Sequence, residues 1–228
     1  MRTTERDTLL VVLAITSGSA DAWSYVALGH AFVANMTGNT VLLGISVFDP
    51  SHEYLHPLIA LICYATGVAC GSLLTRKVKP EAIWAKQTSR VLFLEFFLLA
   101  AAEVAWISSG AAPAPVFRCA ILGCVAVGIG LQSGALLPLN LPGVITTYIT
   151  GTWTMFVSGV ALMSANGERL PRDKTKFEER LLIQVIFLSV YFLSAVTAVF
   201  VFQYKPLISG VFTATPILLV AIYGALRG

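Results

Sequence analysis

The strongest constraint on this chain is a set of long stretches that carry no charge at all. Residues 22–48, 54–75, 119–167, 181–204 and 206–226 contain no Asp, Glu, Lys or Arg. A helix needs about 20 mostly apolar residues to cross the roughly 30 Å hydrocarbon core of a bilayer, and several of these runs reach that length. Composition agrees, with 57% hydrophobic residues, 12% charged residues and a mean hydropathy of +0.80, whereas soluble domains carry about 25% charged residues. The chain therefore reads as an all-α integral membrane protein forming one polytopic domain over residues 1–228. Its net charge of +3 reflects where the loops fall and is no signal for nucleic acid. A secretory signal peptide is the competing reading of the N-terminus, built from Arg2, Arg6, Leu9–Thr16 and the small residues "SADA". The apolar stretch runs on past that site, so a first span is the better account.

Eight apolar segments are visible, at roughly 8–28, 31–48, 54–75, 88–110, 114–139, 144–165, 181–204 and 206–226. Positive charge in short loops marks the cytoplasmic side. If all eight segments spanned, Lys and Arg would divide nine inside and six outside. If the second and sixth only dip into the membrane, the division sharpens. Arg2, Arg6, the five basic residues of 76–90, the five of 169–180 and Arg227 then share the cytoplasmic face. Only Arg118 and Lys205 lie opposite, a split of thirteen to two. The expectation is six transmembrane helices plus two re-entrant or broken segments, with both termini in the cytoplasm.

A weak internal repeat points the same way. Gly18, Asp21 and Ala22 align with Gly130, Ser133 and Gly134, and after a one-residue gap Thr37-Gly38 aligns with Thr150-Gly151. Tyr64, Gly67 and Gly71 match Tyr191, Ser194 and Ala198. Small residues at this spacing let helix backbones approach closely in lipid. With six spans, the halves (about 8–110 and 114–227) start on opposite sides. They form two inverted repeats of three spans each, an arrangement common among transporters.

The two dipping segments hold the most polar sequence in the chain, "FVANMTGNTVLLG" from Phe32 and "TTYITGTWTMFVSG" from Thr146. Irregular backbone at membrane depth survives only when buried in protein or lining a wet cavity. Gly38 and Gly151 are natural break points. Around them Asn35, Thr37, Asn39, Thr147, Thr150 and Thr152 offer amides and hydroxyls, either to a freed backbone or to a partly dehydrated solute. The blander account is that threonines back-bond to their own helix while asparagines join helices. Two such knots at matching repeat positions favour a shared central site, with Gln132 near the second.

Acids inside spans are expensive and mark functional sites by default. Asp21, Glu95 and Glu103 qualify. Gly18, Asp21, Ala22, Tyr25 and Gly29 fall on one helical stripe by their spacing, which suggests a lined crevice with Tyr25 hydrogen-bonded to Asp21. Glu95 lies five residues from Arg90, close enough in sequence for a simple ion pair. The three acids are the candidate coupling residues, Asp21 first among them. Cys63, Cys70, Cys119 and Cys124 sit in apolar segments with no CxxC spacing, so they read as buried filler; neither a metal nor a cofactor is expected. His30, His52 and His56 fit loop or interface positions near the outer face.

"GSADAWSYVALGHAFVANMTGNTVLLG" and "GLQSGALLPLNLPGVITTYITGT" together resemble the YoaK-like family of small bacterial membrane proteins, whose function is unknown. The likeness covers nearly the whole chain and is most specific at Asn-Met-Thr-Gly-Asn. In that family the second copy reads Gln-Asn-Ala and then Thr-Gly-Asn. This sequence has Gln132-Ser133-Gly134 and Thr150-Gly151-Thr152 instead, so it has lost amides there. The resemblance implies a bacterial inner-membrane location and supports six spans, but it supplies no substrate.

A transporter or channel for a small solute or ion is the functional reading these features favour, with Asp21, Tyr25, Asn35, Thr37, Gly38, Asn39, Gln132, Thr147, Thr150, Gly151 and Thr152 as the binding residues. A non-transporting scaffold or accessory subunit is the alternative. An embedded enzyme ranks last, since neither HExxH nor GxSxG occurs. The partners expected are the bilayer, the solute and, as an option, further copies of the chain.

Overall fold

The structure, a computed structural model, describes residues 3–49, 53–79, 82–139, 149–164 and 174–227. Every regular element among them is helical. The order is α1 (Thr3–Ala27), α2 (Met36–Ser46), α3 (Leu55–Thr75), α4 (Lys86–Ser108), α5 (Pro115–Leu136), α6 (Ile149–Ser164), α7 (Lys174–Tyr204) and α8 (Val211–Arg227). Single 3₁₀ turns follow α5 at Leu137–Leu139 and precede α8 at Pro206–Ile208.

Six helical stretches are long and apolar enough to span: Thr4–Ala27, Leu55–Thr75, Lys86–Ser108, Pro115–Leu139, Thr175–Tyr204 and Pro206–Arg227. The other two helices are short. The 11 residues of α2 extend about 16 Å and the 16 residues of α6 about 24 Å at 1.5 Å per residue. Over its described residues neither reaches the roughly 30 Å of a hydrocarbon core, and α6 is described only over 149–164. They occupy the second and sixth apolar segments, the two the sequence separates from the spans. The second segment turns helical only at Met36, because residues 28–35 run as turn and extended chain.

Burial divides the spans by position. Within their most apolar windows, α1 and α5 are 67% and 78% buried, whereas α3 and α7 are 22% and 17% buried. Helices α1 and α5 are therefore central, and α3 and α7 present most of their surface outward. Packing follows the same exchange. Helix α3 lies on α5 as α7 lies on α1; α4 packs on α5 as α8 packs on α1; α2 rests on α3 as α6 rests on α7, and α4 meets α8. Exchanging each helix for the one four later leaves this scheme unchanged.

The close pairs are built on small residues. A Cβ at Gly130 would strike the Tyr64 carbonyl, and one at Gly67 would lie 3.0 Å from the Gly130 Cα. In the other half, a Cβ at Gly18 would strike the Tyr191 carbonyl and the Ser194 hydroxyl. Aromatic residues fill the α1–α4–α8 side. Trp23 and Trp106 meet edge to face at 5.6 Å. Their indole N–H groups donate to Ser209 Oγ at 2.9 Å and Pro206 O at 2.7 Å, fixing the turn that leads into α8.

Candidate functional site

The first polar knot is explained by the backbone it has to satisfy. After α1 the chain reverses through Gly29 and His30, both left-handed at φ 108° and 58°. A Cβ on Gly29 would lie 2.6 Å from the His56 ring, so only glycine fits. Residues 31–34 then lie outside any helix, and although the Asn35 carbonyl takes the Asn39 N–H at 3.2 Å, the N–H groups before α2 need partners from elsewhere. Asp21 supplies one oxygen for three of them: Oδ1 accepts from the N–H groups of Val33 at 2.8 Å, Ala34 at 2.6 Å and Asn35 at 3.3 Å. Asn39 clamps Phe32 on both sides, accepting from its N–H at 2.9 Å and donating to its carbonyl at 2.6 Å. Ser24 donates to the Ala31 carbonyl at 2.9 Å. Asn35 caps α2 by accepting from the Gly38 N–H at 3.1 Å, and Thr40 back-bonds to the Met36 carbonyl at 2.9 Å. Buried backbone groups left unpaired cost about 1–3 kcal/mol each. Asn39→Ala should accordingly lower the melting temperature in detergent by several degrees, while Thr40→Ala, at an exposed back-bond, should leave it unchanged.

What remains of the knot faces a cavity. The space measures 390 Å³ and is lined in matching pairs from the two halves: Met36 with Ile149, Thr37 with Thr150, and Tyr64 with Tyr191, together with Ala34, Asn35 and Gly151. The starting turn of α2 and the first described turn of α6 thus face one another across it. Tyr191 Oη donates to Asp21 Oδ2 at 2.5 Å. The acid therefore lies one hydrogen bond behind the cavity wall and is itself 4% exposed.

Of the residues predicted from sequence, Asn35, Thr37, Thr150 and Gly151 line this cavity. Gly38 lies one residue behind the lining, and a Cβ there would crowd Asn35 and the Phe32 ring at 2.9 Å. Asn39 is fully buried on the Phe32 backbone. Thr152 is 2% exposed, and Thr147 lies outside the described residues. Gln132 is buried at the α1–α5 contact, where Nε2 donates to Ser17 Oγ at 3.4 Å. Tyr25 does not hold Asp21. It stacks on Phe32 at 4.9 Å and meets His30 edge-on at 5.1 Å, although Asp21 and Tyr25 both lie on α1, whose end at Ala27 takes only Gly29 off the stripe.

Glu95 and Glu103 sit on α4, away from the cavity lining. Glu95 is completely buried beside Gly128, neither of its oxygens has a hydrogen-bond partner among the described residues, and it forms no pair with Arg90. Glu103 lies against the Gly210 backbone near Trp23. The residues that sequence reasoning missed as site members are Tyr64 and Tyr191. Their match across the repeat was visible, but it was read only as part of a packing face.

The model for the family described as protein of unknown function DUF1275 matches residues 9–224. The chain belongs to that family. A relative in Bacillus subtilis (strain 168), UPF0700 transmembrane protein YoaK, is 34% identical over 157 residues, 68% of each chain. No solved structure matches. The DUF1275 match runs from α1 into α8 and so takes in both knots, both tyrosines and Asp21, in a multi-pass transmembrane protein whose family has no assigned function.

Proposed function

We propose that the chain is a small-solute or ion transporter or channel of the bacterial cytoplasmic (inner) membrane, working through the cavity between the two knots. In this reading α2 and α6 are re-entrant helices, the halves are inverted repeats of three spans, and both termini face the cytoplasm. The observation that carries it is the paired lining. Thr37 with Thr150 and Tyr64 with Tyr191 put hydroxyls from both halves around one space, where inverted-repeat transporters bind their cargo. None of the described lining residues is charged, so in this reading selectivity rests on hydroxyl and amide groups. Helix N-termini attract anions, but the start of α2 already has the Asp21 carboxyl directly before it, so the dipole alone does not set the sign of the solute. Asp21 is the coupling group for protons or cations, acting through Tyr191.

A second reading, a non-transporting scaffold, is favoured by the three side chains spent on backbone: Asp21, Asn35 and Asn39. Cysteine accessibility separates the two. In a background lacking Cys63, Cys70, Cys119 and Cys124, Thr37→Cys and Thr150→Cys should both react with a small membrane-impermeant thiol reagent. If neither reacts, the centre is dry and the scaffold reading stands. In the same background Lys77→Cys and Lys176→Cys should label from the cytoplasmic side only. Labelling from opposite sides would replace the inverted repeat with a parallel one.

A further inference from the structure

A second cleft, unrelated to the polar cavity, opens between the last turn of α3 and the first turns of α4. It measures 310 Å³ and is lined by Leu74 from α3 and by Gln87, Arg90, Val91 and Leu94 from α4. The four α4 residues follow the i, i+3, i+4, i+7 pattern of one helix face, and their chemistry is graded along the axis. Gln87 and Arg90, nearest the helix start, are exposed and polar. Leu94, one turn deeper, and Leu74 opposite are 44% and 54% exposed. The cleft therefore has a cationic mouth at the end of the spans and an apolar slot running into them.

The mouth opens on the most basic stretch of the described chain. Arg76, Lys77, Lys79, Lys86 and Arg90 are all exposed, and among the described residues none of them pairs with a carboxylate. Among the described residues, ion pairs join Arg6 to Asp7 and His56 to Glu53, both elsewhere. Glu81, the one acid within 76–90, lies outside the described residues. Trp84 pins this stretch to the bundle end. Its ring packs where a Cβ on Gly224 would be, its N–H donates to Ser89 Oγ at 2.9 Å, and Arg227 stands 6.0 Å over the Tyr223 ring close by in the sequence. Trp84 is 6% exposed and anchors the stretch from inside, while a tyrosine beside a basic residue, as Tyr223 beside Arg227, suits the headgroup level of a bilayer.

We infer that this cleft is a binding site for one anionic phospholipid, its phosphate held by Arg90 with Gln87 and Lys86 and one acyl chain lying along Leu74, Val91 and Leu94. Charge complementarity selects the headgroup, and the apolar slot explains why the ligand is a lipid and not a free anion. Basic residues near a membrane surface attract anionic lipid by an amount equal to about a fivefold preference per charge. The inference rests on the membrane-spanning fold and not on the transport reading, so either can fail alone.

The test uses the full chain, purified and delipidated in neutral detergent, with native mass spectrometry after addition of phosphatidylglycerol or phosphatidylcholine of matched acyl chains. One phosphatidylglycerol should stay bound where phosphatidylcholine does not, and it should raise the melting temperature. Arg90→Gln should reduce that preference about fivefold, whereas Lys205→Gln, at the other end of the bundle, should not change it. Leu94→Trp keeps every charge but fills the slot, and should remove the bound lipid while the protein stays monodisperse. Equal retention of both lipids overturns the site, as does indifference to both Arg90→Gln and Leu94→Trp. Stabilisation by inorganic phosphate as strong as that by phosphatidylglycerol also overturns it, because it leaves the slot with no part in binding. A cross-link between Gln87→Cys residues of two copies, with no lipid retained, would identify the cleft as a contact between chains and reject the lipid.

Discussion

Gly130→Leu should abolish recovery of folded protein, seen as loss of the monodisperse peak in detergent gel filtration. The backbones of α3 and α5 touch here with nothing between them. A Cβ on Gly130 would strike the Tyr64 carbonyl and lie 3.0 Å from Gly67 Cα, and one turn on a Cβ at Gly134 would strike the Val68 carbonyl and come within 2.8 Å of the Ser72 nitrogen. Overpacking an ordinary core typically costs about 1–3 kcal/mol because side chains can shift. Here the obstacles are backbone atoms of a neighbouring helix, so the two helices have to part. Lipid gives little drive to bring them back, since helix association in a bilayer depends on close packing itself. Even Gly130→Ala should lower the melting temperature substantially. Gly18→Ala should do so less, because one of the groups it meets is the Ser194 hydroxyl, which can rotate away. Gly44→Ala is the control. No described residue lies within 4 Å of its Cβ position, and alanine is favoured over glycine in a helix by about 1 kcal/mol, so it should hold or raise the melting temperature. Wild-type behaviour of Gly130→Leu would mean that the α3–α5 contact is not as described.

Much of this architecture is legible in the sequence, because a membrane imposes few and strict rules. Apolar segments of span length give the six spanning helices, although only α3, α5, α7 and α8 draw on the charge-free runs while α1 and α4 carry charges within them. The two segments set apart by their polar knots hold α2 and α6, which are short over the described residues. The repeat correspondence of Gly18 with Gly130 and Tyr64 with Tyr191 reappears as matching contacts, with each glycine under the carbonyl of the other pair's tyrosine. What could not be read is which polar group meets which. Asp21 and Tyr25 are one turn apart, and a helical stripe is the natural inference, yet the partner of Asp21 is Tyr191, 170 residues away. Nothing local in the sequence reports that contact. The role of Asn39 was hidden for a related reason. An amide in an apolar run looks like a ligand for a solute, but the first need of a broken helix is partners for its own freed N–H and C=O groups. The Arg90 ion pair that is the alternative for Glu95 does not form, because a short distance in sequence is no contact on a helix. Five residues along, the two side chains point to different sides, and Glu95 turns into the α5 interface.

Asp21 should give the sharpest separation between structural and coupling roles. Its carboxyl does two things at once. Oδ1 gathers the N–H groups of Val33, Ala34 and Asn35, and Oδ2 takes the Tyr191 hydroxyl at the cavity wall. Asp21→Leu removes all four bonds. With three backbone N–H groups orphaned at about 1–3 kcal/mol each, the expected loss is several kcal/mol and little folded protein should be recovered. Asp21→Asn is milder: its remaining carbonyl can still serve the three N–H groups. Its amide presents donors where Tyr191 now donates, so the phenol has to turn its own hydrogen elsewhere, toward the cavity. Tyr191→Phe makes the reciprocal cut, sparing Asp21 and its grip on the loop. If Asp21 couples protons or cations through Tyr191, both Asp21→Asn and Tyr191→Phe should fold and insert. Both should also flatten the pH dependence of Thr37→Cys labelling, measured relative to a free small thiol in the same buffers. If Asp21 serves only the backbone, Asp21→Asn should lower the melting temperature and leave that pH profile unchanged, and Tyr191→Phe should do neither. The second outcome would retire Asp21 as a coupling residue. Coupling would then have to pass through Glu95 or Glu103 on α4, neither of which reaches the cavity lining, so the route for protons would run through the α4–α5–α8 interior and not across Tyr191.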